Sequence, residues 1–172
     1  MLSHIAILME NQPGALSRVV GLFSQRGYNI DSLSVAPTQD PTLSRLTMTT
    51  SENPEIVNQI LRQLYKLVDV VMVQNLSDAE AYSIELAIIK LVSSREKIEK
   101  IISQAKELEG KILDDKDDHI MFEIWGDSTD IDALLASLKE EEFLEVTRSG
   151  LLGMTKGNVA LNTSDQTKIS YD

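Results

Sequence analysis

The sequence of 172 residues contains no cysteine. Disulfides and thiolate metal sites are therefore excluded. His4 and His119 are the only histidines, and neither has an obvious nucleophile beside it. Aromatic residues make up 5% of the chain. No apolar run approaches the ~18 residues of a membrane span. The N-terminus, Met1-Leu2-Ser3-His4, lacks a basic stretch followed by a long apolar one. Positive charge is scarce as well, with 16 Lys and Arg against 27 Asp and Glu and a formal net charge of −11. Such a surface repels phosphate backbones, which bind to Lys and Arg. The expectation is a soluble, cytoplasmic protein that binds neither membrane nor nucleic acid.

What is present points to two packed units. Hydrophobic residues are 42% of the chain, enough for a core. The charge is uneven. Residues 1–78 carry 5 basic and 7 acidic groups, and residues 79–172 carry 11 and 20. Four segments show the i, i+3, i+4, i+7 spacing of one helix face. They are Leu16/Val19/Val20/Phe23, Val57/Ile60/Leu61/Leu64, Ile98/Ile101/Ile102/Ala105 and Ile131/Leu134/Leu135/Leu138. Pro13 suits the first turn of the first helix and Gly27 the left-handed residue after it. Asn53-Pro54 opens the second helix. Ser93-x-x-Glu96 reads as a capping box and Gly110 as the stop of the third. Thr129-x-x-Asp132 starts the fourth.

Strand-like runs lie between them at 2–9, 28–37, 43–50 and 68–74, then at 82–92, 111–115, 119–125 and 143–149. Each half reads β-α-β-β-α-β. The fold class is therefore α+β, two ferredoxin-like βαββαβ domains in tandem. The expected organisation is a first domain over 1–76, a linker over 77–81, a second domain over 82–157 and a mobile tail over 158–172. Helices on one side would leave the other sheet face of each domain uncovered, so a homo-oligomer is expected.

The stretch Glu10-Asn11-Gln12-Pro13-Gly14 leaves a strand and begins a helix at once. Free N–H groups and the positive end of the helix dipole gather at such a turn. Gly14 lets an anion approach them closely. Asn11 adds a carbonyl and an amide. No lysine or arginine lies between His4 and Ser17, which suits a zwitterion better than a phosphate. Pro and Asn are also ordinary turn residues, and on the physics alone plain helix initiation is the simpler account of the stretch. The same two readings hold for Asn29 in Gly27-Tyr28-Asn29-Ile30-Asp31. Ser103-x-x-Lys106 lies on an ordinary amphipathic helix. Asp114, Asp115, Asp117 and Asp118 lack the glycine and distal glutamate of a calcium loop and read as a solvated turn. Trp125 alternates with Ile124, so one of the two faces outward. No catalytic residue and no metal site is assigned.

The stretch from Glu10 to Val19 resembles the ligand turn of ACT domains. Gly21-Leu22-Phe23-Ser24-Gln25-Arg26-Gly27-Tyr28-Asn29-Ile30 is similar to the regulatory small subunits of acetohydroxyacid (acetolactate) synthase. So are Pro41-Thr42-Leu43-Ser44-Arg45, the run from Gln63 to Val70, and Arg148-Ser149-Gly150-Leu151-Leu152-Gly153. The resemblance spans residues 2 to 157 and is densest in the first half, making that half an ACT domain. It implies a non-catalytic protein that binds and activates the catalytic large subunit and confers feedback inhibition by valine or a related branched-chain amino acid. It implies ACT domains paired as a homodimer, with Asn11, Gly14 and Ala15 of one chain and Asn29 and Ile30 of the other contacting the amino acid. Thiamine diphosphate, Mg²⁺ and FAD would belong to the catalytic subunit, leaving this chain without a cofactor. Arg26, Asp40 and Arg45 form the expected contact patch for that partner. The rival reading is an ACT-domain amino-acid sensor serving a different enzyme or regulator.

Overall fold

The computed structural model describes residues 2–138 and 142–161. The chain separates into two compact units. Residues 151–161 group with residues 2–82, and residues 83–138 and 142–150 form the second unit.

The first unit is built from β1 (Ser3–Glu10), α1 (Ala15–Arg26), β2 (Ser32–Pro37), β3 (Leu43–Thr50), α2 (Pro54–Leu64) and β4 (Val70–Asn75). Its antiparallel strands run in the order β2-β3-β1-β4, with Ile7 opposite Leu46 and Val73. This is the ferredoxin-like arrangement expected from the alternation of periods. The core lies between sheet and helices. Ile5, Ile7, Leu46 and Met48 meet Val19, Phe23, Ile60 and Leu64, all at most 1% exposed.

Local chemistry explains most of the helix limits. The Asn53 side chain accepts from the Ile56 N–H at 2.9 Å, a cap that contributes about 1 kcal/mol. Gly27, at φ 70°, closes α1, and the Tyr28 N–H reaches back to the Phe23 carbonyl. Pro13 falls outside the helix rather than in its first turn. It occupies the second position of a turn whose third residue is Gly14, at φ 89° and ψ −16°, closed by Ala15 N–H to the Gln12 carbonyl at 3.2 Å. That is a type II turn, which favours Pro and then Gly in those places.

The second unit contains β5 (Ala81–Val92, its first residues belonging to the first unit), α3 (Arg95–Glu107), β6 (Lys111–Asp115), β7 (His119–Gly126), α4 (Ser128–Ser137) and β8 (Glu142–Arg148). The order β6-β7-β5-β8 repeats that of the first sheet. Ile89, Leu91, Ile120 and Phe122 pack on Ile98, Ala105 and Ile131. Three end signals sit elsewhere than expected. Ser94, not Ser93, caps α3, and its side chain makes no capping bond. Asp127 precedes α4 in place of Thr129. Glu109, at φ 55°, takes the left-handed position after α3. Gly110 is required for space instead, since a Cβ there would lie 2.6 Å from the Ala105 carbonyl oxygen.

The two outer sheet faces differ. In the first unit Ala6, Leu8, Thr47 and Thr49 point away from the helices yet are at most 4% exposed. The cover comes from a 3-10 turn at Leu76–Asp78 and from β9 (Leu152–Thr155), a strand the periodicity does not reveal. β9 pairs with β5, and Lys156 N–H donates to the Glu80 carbonyl at 2.8 Å. Leu76 and Leu151 are each 3% exposed. A Cβ on Gly153 would lie 2.6 Å from Leu76 Cδ1 and 3.8 Å from Thr47 Cγ2. The expectation of a bare face is thus overturned for this unit by residues that follow the second one. In the second unit Trp125 is the outward member of its pair, 45% exposed, with Leu86 opposite it in register. Of the expected tail, residues 162–172 lie outside the described residues.

Candidate functional site

β1 ends at Glu10, whose N–H donates to the Asp69 carbonyl at 2.8 Å, and the Asn11 N–H donates to the Thr42 carbonyl at 2.7 Å. These bonds pin the start of the turn to two neighbouring segments. Asn11 Nδ2 donates to the Pro41 carbonyl at 2.9 Å, which leaves its carbonyl oxygen as the group matched to an ammonium. The first helical bond is Arg18 N–H to the Gly14 carbonyl at 3.0 Å. The amides of Leu16 and Ser17 therefore have no intrahelical partner. The Ala15 amide is committed to the turn, and the Ala15 side chain is buried.

A cation sits at this corner after all. Side chains of a helix lean toward its N-terminus, and Arg18, one turn in, folds back over Gly14. A Cβ on Gly14 would lie 2.8 Å from Arg18 Nη1. The positive φ selects glycine here, and a Cβ would in addition displace the end of the Arg18 side chain. Arg18 Nε donates to Asp69 Oδ2, and Nη2 to Asp69 Oδ1 at 2.6 Å. Gln12 Nε2 bridges Asp69 Oδ1 at 2.7 Å and Glu10 Oε2 at 2.6 Å. Asp69 is 1% exposed. Hydrogen bonds from Arg18, and then from Gln12, outweigh burial and hold its pKa down at about 2. Reading forward from His4 to Ser17 misses both partners. Arg18 lies one residue beyond that window, and Asp69 arrives from the far end of the domain.

The second corner follows α1. Asn29 N–H donates to Glu52 Oε1 at 3.2 Å, its Nδ2 donates to Asp31 Oδ1 at 2.7 Å, and its backbone carbonyl accepts from Thr50 Oγ1 at 2.7 Å. Ile30 is half-buried against the first core. This corner lies at the opposite end of the sheet from the first, with the 12 residues of α1 between them, about 18 Å of helix. Within one chain Asn11 and Gly14 do not meet Asn29 and Ile30.

The three expected partner contacts are also dispersed. Arg26 ends α1, on the helical side. Asp40 shapes the β2–β3 loop by accepting from the Thr42 N–H at 2.9 Å and Oγ1 at 2.6 Å, bonds that lower its pKa. Arg45 lies on the other sheet face, where Nη2 donates to the Gly153 carbonyl at 2.7 Å and burial lowers its pKa.

The second unit has its own buried carboxylate. Glu85 accepts from Arg148 Nε and Nη2, both at 2.8 Å, and from Ser128 Oγ at 2.7 Å. Burial pushes its pKa up, but the Arg148 and Ser128 bonds prevail and leave it below the usual range. Arg148 Nη1 also reaches Asp132 at 2.6 Å. The clasp ties β5, β8 and α4 together. His119 rests between Asp118 at 2.7 Å and Asp114 at 3.3 Å, and these bonds raise its pKa.

Comparison with known proteins covers both units. Residues 5–72 match the AHAS small subunit-like ACT domain, and residues 84–157 match the family described as small subunit of acetolactate synthase. The acetolactate synthase small subunit of Haemophilus influenzae is 44% identical over 157 residues, 89% of this chain and 94% of that protein. The isozyme 3 small subunit of Salmonella typhimurium is 43% identical over 155 residues, 90% and 95% of the two chains. The crystal structure of the acetolactate synthase small subunit from Thermotoga maritima superposes with a TM-score of 0.82 at 31% identity, covering 92% of this chain and 99% of that one. The chain belongs to the acetolactate synthase small-subunit family, and its first half is an ACT domain of that family.

Proposed function

We propose that the chain is the regulatory subunit of an acetolactate synthase. It binds the catalytic large subunit, raises its activity, and confers feedback inhibition by valine or a related branched-chain amino acid. Thiamine diphosphate, Mg²⁺ and FAD serve the catalytic subunit. The amino acid sits between two copies of the chain. The Leu16 and Ser17 amides and the dipole of α1 attract its carboxylate beside Gly14 and Ala15. The side-chain carbonyls of Asn11 and Asn29 receive its ammonium, and its side chain packs near Ile30.

The observation that carries this reading is the separation of the two corners. β2 is an edge strand whose Val35, Ala36 and Pro37 are exposed. Antiparallel pairing of two β2 edges sets the Asn11 end of one chain beside the Asn29 end of the other. Each dimer then has two complete seams, and a ligand bridging a seam favours one relative arrangement of the chains. Valine has few atoms, at roughly −0.3 to −1.5 kcal/mol each, so modest affinity is expected. Discrimination from leucine rests on one methylene, about 1–3 kcal/mol. Acetolactate formation by the catalytic subunit, measured with and without this chain and valine, tests the proposal. Activation by the chain that valine reverses supports it. An unchanged rate in both cases refutes it.

A further inference from the structure

Between α1 and the end of α2 runs a groove of about 370 Å³ lined by Ser17, Arg18, Gly21, Leu22, Gln25, Arg26, Gln63 and Leu67. Its charge runs against that of the molecule. Of the five basic residues in positions 1–78, four lie on α1, α2 or the turn after α2, namely Arg18, Arg26, Arg62 and Lys66. The two helices carry a single acid, Glu55. Arg18 is neutralised by Asp69. Arg26 lines the groove, Arg62 and Lys66 are exposed on and just after α2 outside the lining, and none of the three forms a salt bridge among the described residues. The helical layer around the groove is therefore net positive on a chain of net charge −11.

The groove also has an apolar, vacant part. Leu22 and Leu67 line it. Val68, the next residue, is 85% exposed. Gly21 lies in mid-helix, where glycine costs about 1 kcal/mol relative to alanine. A Cβ there would meet nothing within 4 Å. Nothing among the described residues therefore requires glycine at that place, and the space above it admits a side chain from outside.

We propose that this groove is the surface that docks the catalytic subunit, taking a segment that carries carboxylates around one apolar anchor. The anchor occupies the space over Gly21 between Leu22 and Leu67, and the carboxylates meet Arg26 in the groove and the positive helical surface beside it that carries Arg62 and Lys66. The inference rests on the assembly proposed above and narrows the expected patch. Arg26 remains in it, while Asp40 and Arg45 are occupied within the chain. Charge complementarity of this kind acts on encounter and is weakened by salt.

The test uses the full-length chain and the catalytic large subunit from the same source, with affinity followed by calorimetry at low and high salt. Arg26→Glu with Arg62→Glu is compared with Lys106→Glu and Lys111→Glu, an equal charge change on the second unit. The groove variant is expected to lose at least tenfold in affinity and most of its salt dependence. Its valine binding and its own sedimentation mass should be unchanged, and the control pair should shift affinity less than twofold. Arg26→Gln should give a smaller loss in the same direction. Equal binding by wild type and groove variant overturns the docking surface while leaving the assembly intact. Equal losses in both variants also overturn it, since net charge then explains the effect. A groove variant that falls to monomer assigns the face to a second copy and overturns it too. Failure of the wild-type chain to bind the catalytic subunit overturns both this inference and the function on which it rests.

Discussion

The two units share one topology but differ where the first strand hands over to the first helix. In the first unit four residues, Asn11 to Gly14, make the passage from β1 to α1 through a left-handed glycine. Arg18 lies over that glycine and is anchored by a buried carboxylate. In the second unit two residues suffice, Ser93 and Ser94, and Ser94 has an ordinary extended backbone at φ −70° and ψ 150°. A cation stands near that helix start as well, but Arg95 pairs with an Asp115 that is 34% exposed. The longer turn leaves backbone amides, a bare Cα and a fixed charge in one place. The shorter turn leaves no comparable niche. One fold used twice therefore offers such a niche once, the one proposed above to seat an amino acid, and the difference lies in a few turn residues and one long-range ion pair.

The largest expected effect breaks this comparison at its centre. Gly14→Asp puts a carboxylate against the incoming ligand carboxylate and crowds Arg18. Valine affinity measured by calorimetry should fall at least ~100-fold, about 2.7 kcal/mol. Ser94→Asp, the corresponding change in the second unit, should leave it unaltered.

The second effect concerns the covered and the open sheet faces. Leu76→Ala removes a buried side chain from the cover of the first sheet and should destabilise that unit by about 2–5 kcal/mol. Deletion of residues 151–172 should likewise expose Ala6, Leu8 and Thr47 to hydrogen exchange, with little change in the second core around Phe122. Loss of protection confined to the second unit would contradict the assignment of β9 to the first.

The third concerns the two buried carboxylates. Asp69 in the fold titrates at about 2, below the ~4 of an unfolded chain. Its stabilising contribution is complete above pH 4 and is lost as pH falls through 2. Glu85 is lowered as well and acts in the same direction. In acid unfolding followed by NMR, Asp69→Asn should flatten the decline of the first unit between pH 4 and 2. It should leave that of the second unit as it was.

The smallest effect concerns the helix starts. Asn53→Ala removes a formed capping bond and should cost about 1 kcal/mol in urea unfolding. Ser94→Ala, where the side chain caps nothing, should cost less than ~0.5 kcal/mol.

The fold was legible because helical and strand periods alternate cleanly, as in Leu16/Val19/Val20/Phe23 against Leu46/Met48. The type II turn was legible in part, since Pro13 and Gly14 announce a turn though not the placement of Pro13 outside α1. β9 was not. Four residues carry too little alternation, and its packing partner Leu76 lies a whole domain earlier in the chain. Arg18 over Gly14 was missed although the lean of helix side chains toward the N-terminus is a signal for it, and its anchor had no local signal, because Asp69 is 51 residues away. The role of Gly110 depended on how closely the Ala105 carbonyl approaches, which no local pattern encodes. Local signals placed both candidate corners, while the contacts that shape them came from distant segments.

The central claim is that each amino-acid site takes one corner from each of two chains. It is tested by mixing full-length Gly14→Asp with full-length Asn29→Ala, each unable to bind valine alone, allowing subunits to exchange, and measuring valine binding by calorimetry. In a two-fold dimer one seam of the mixed species collects both defects and the other has none. The account predicts recovery of about a quarter of the wild-type sites at wild-type affinity for an equal, random mixture. No recovery, once exchange is verified by mass spectrometry, would place both corners in the service of a single chain and contradict the account.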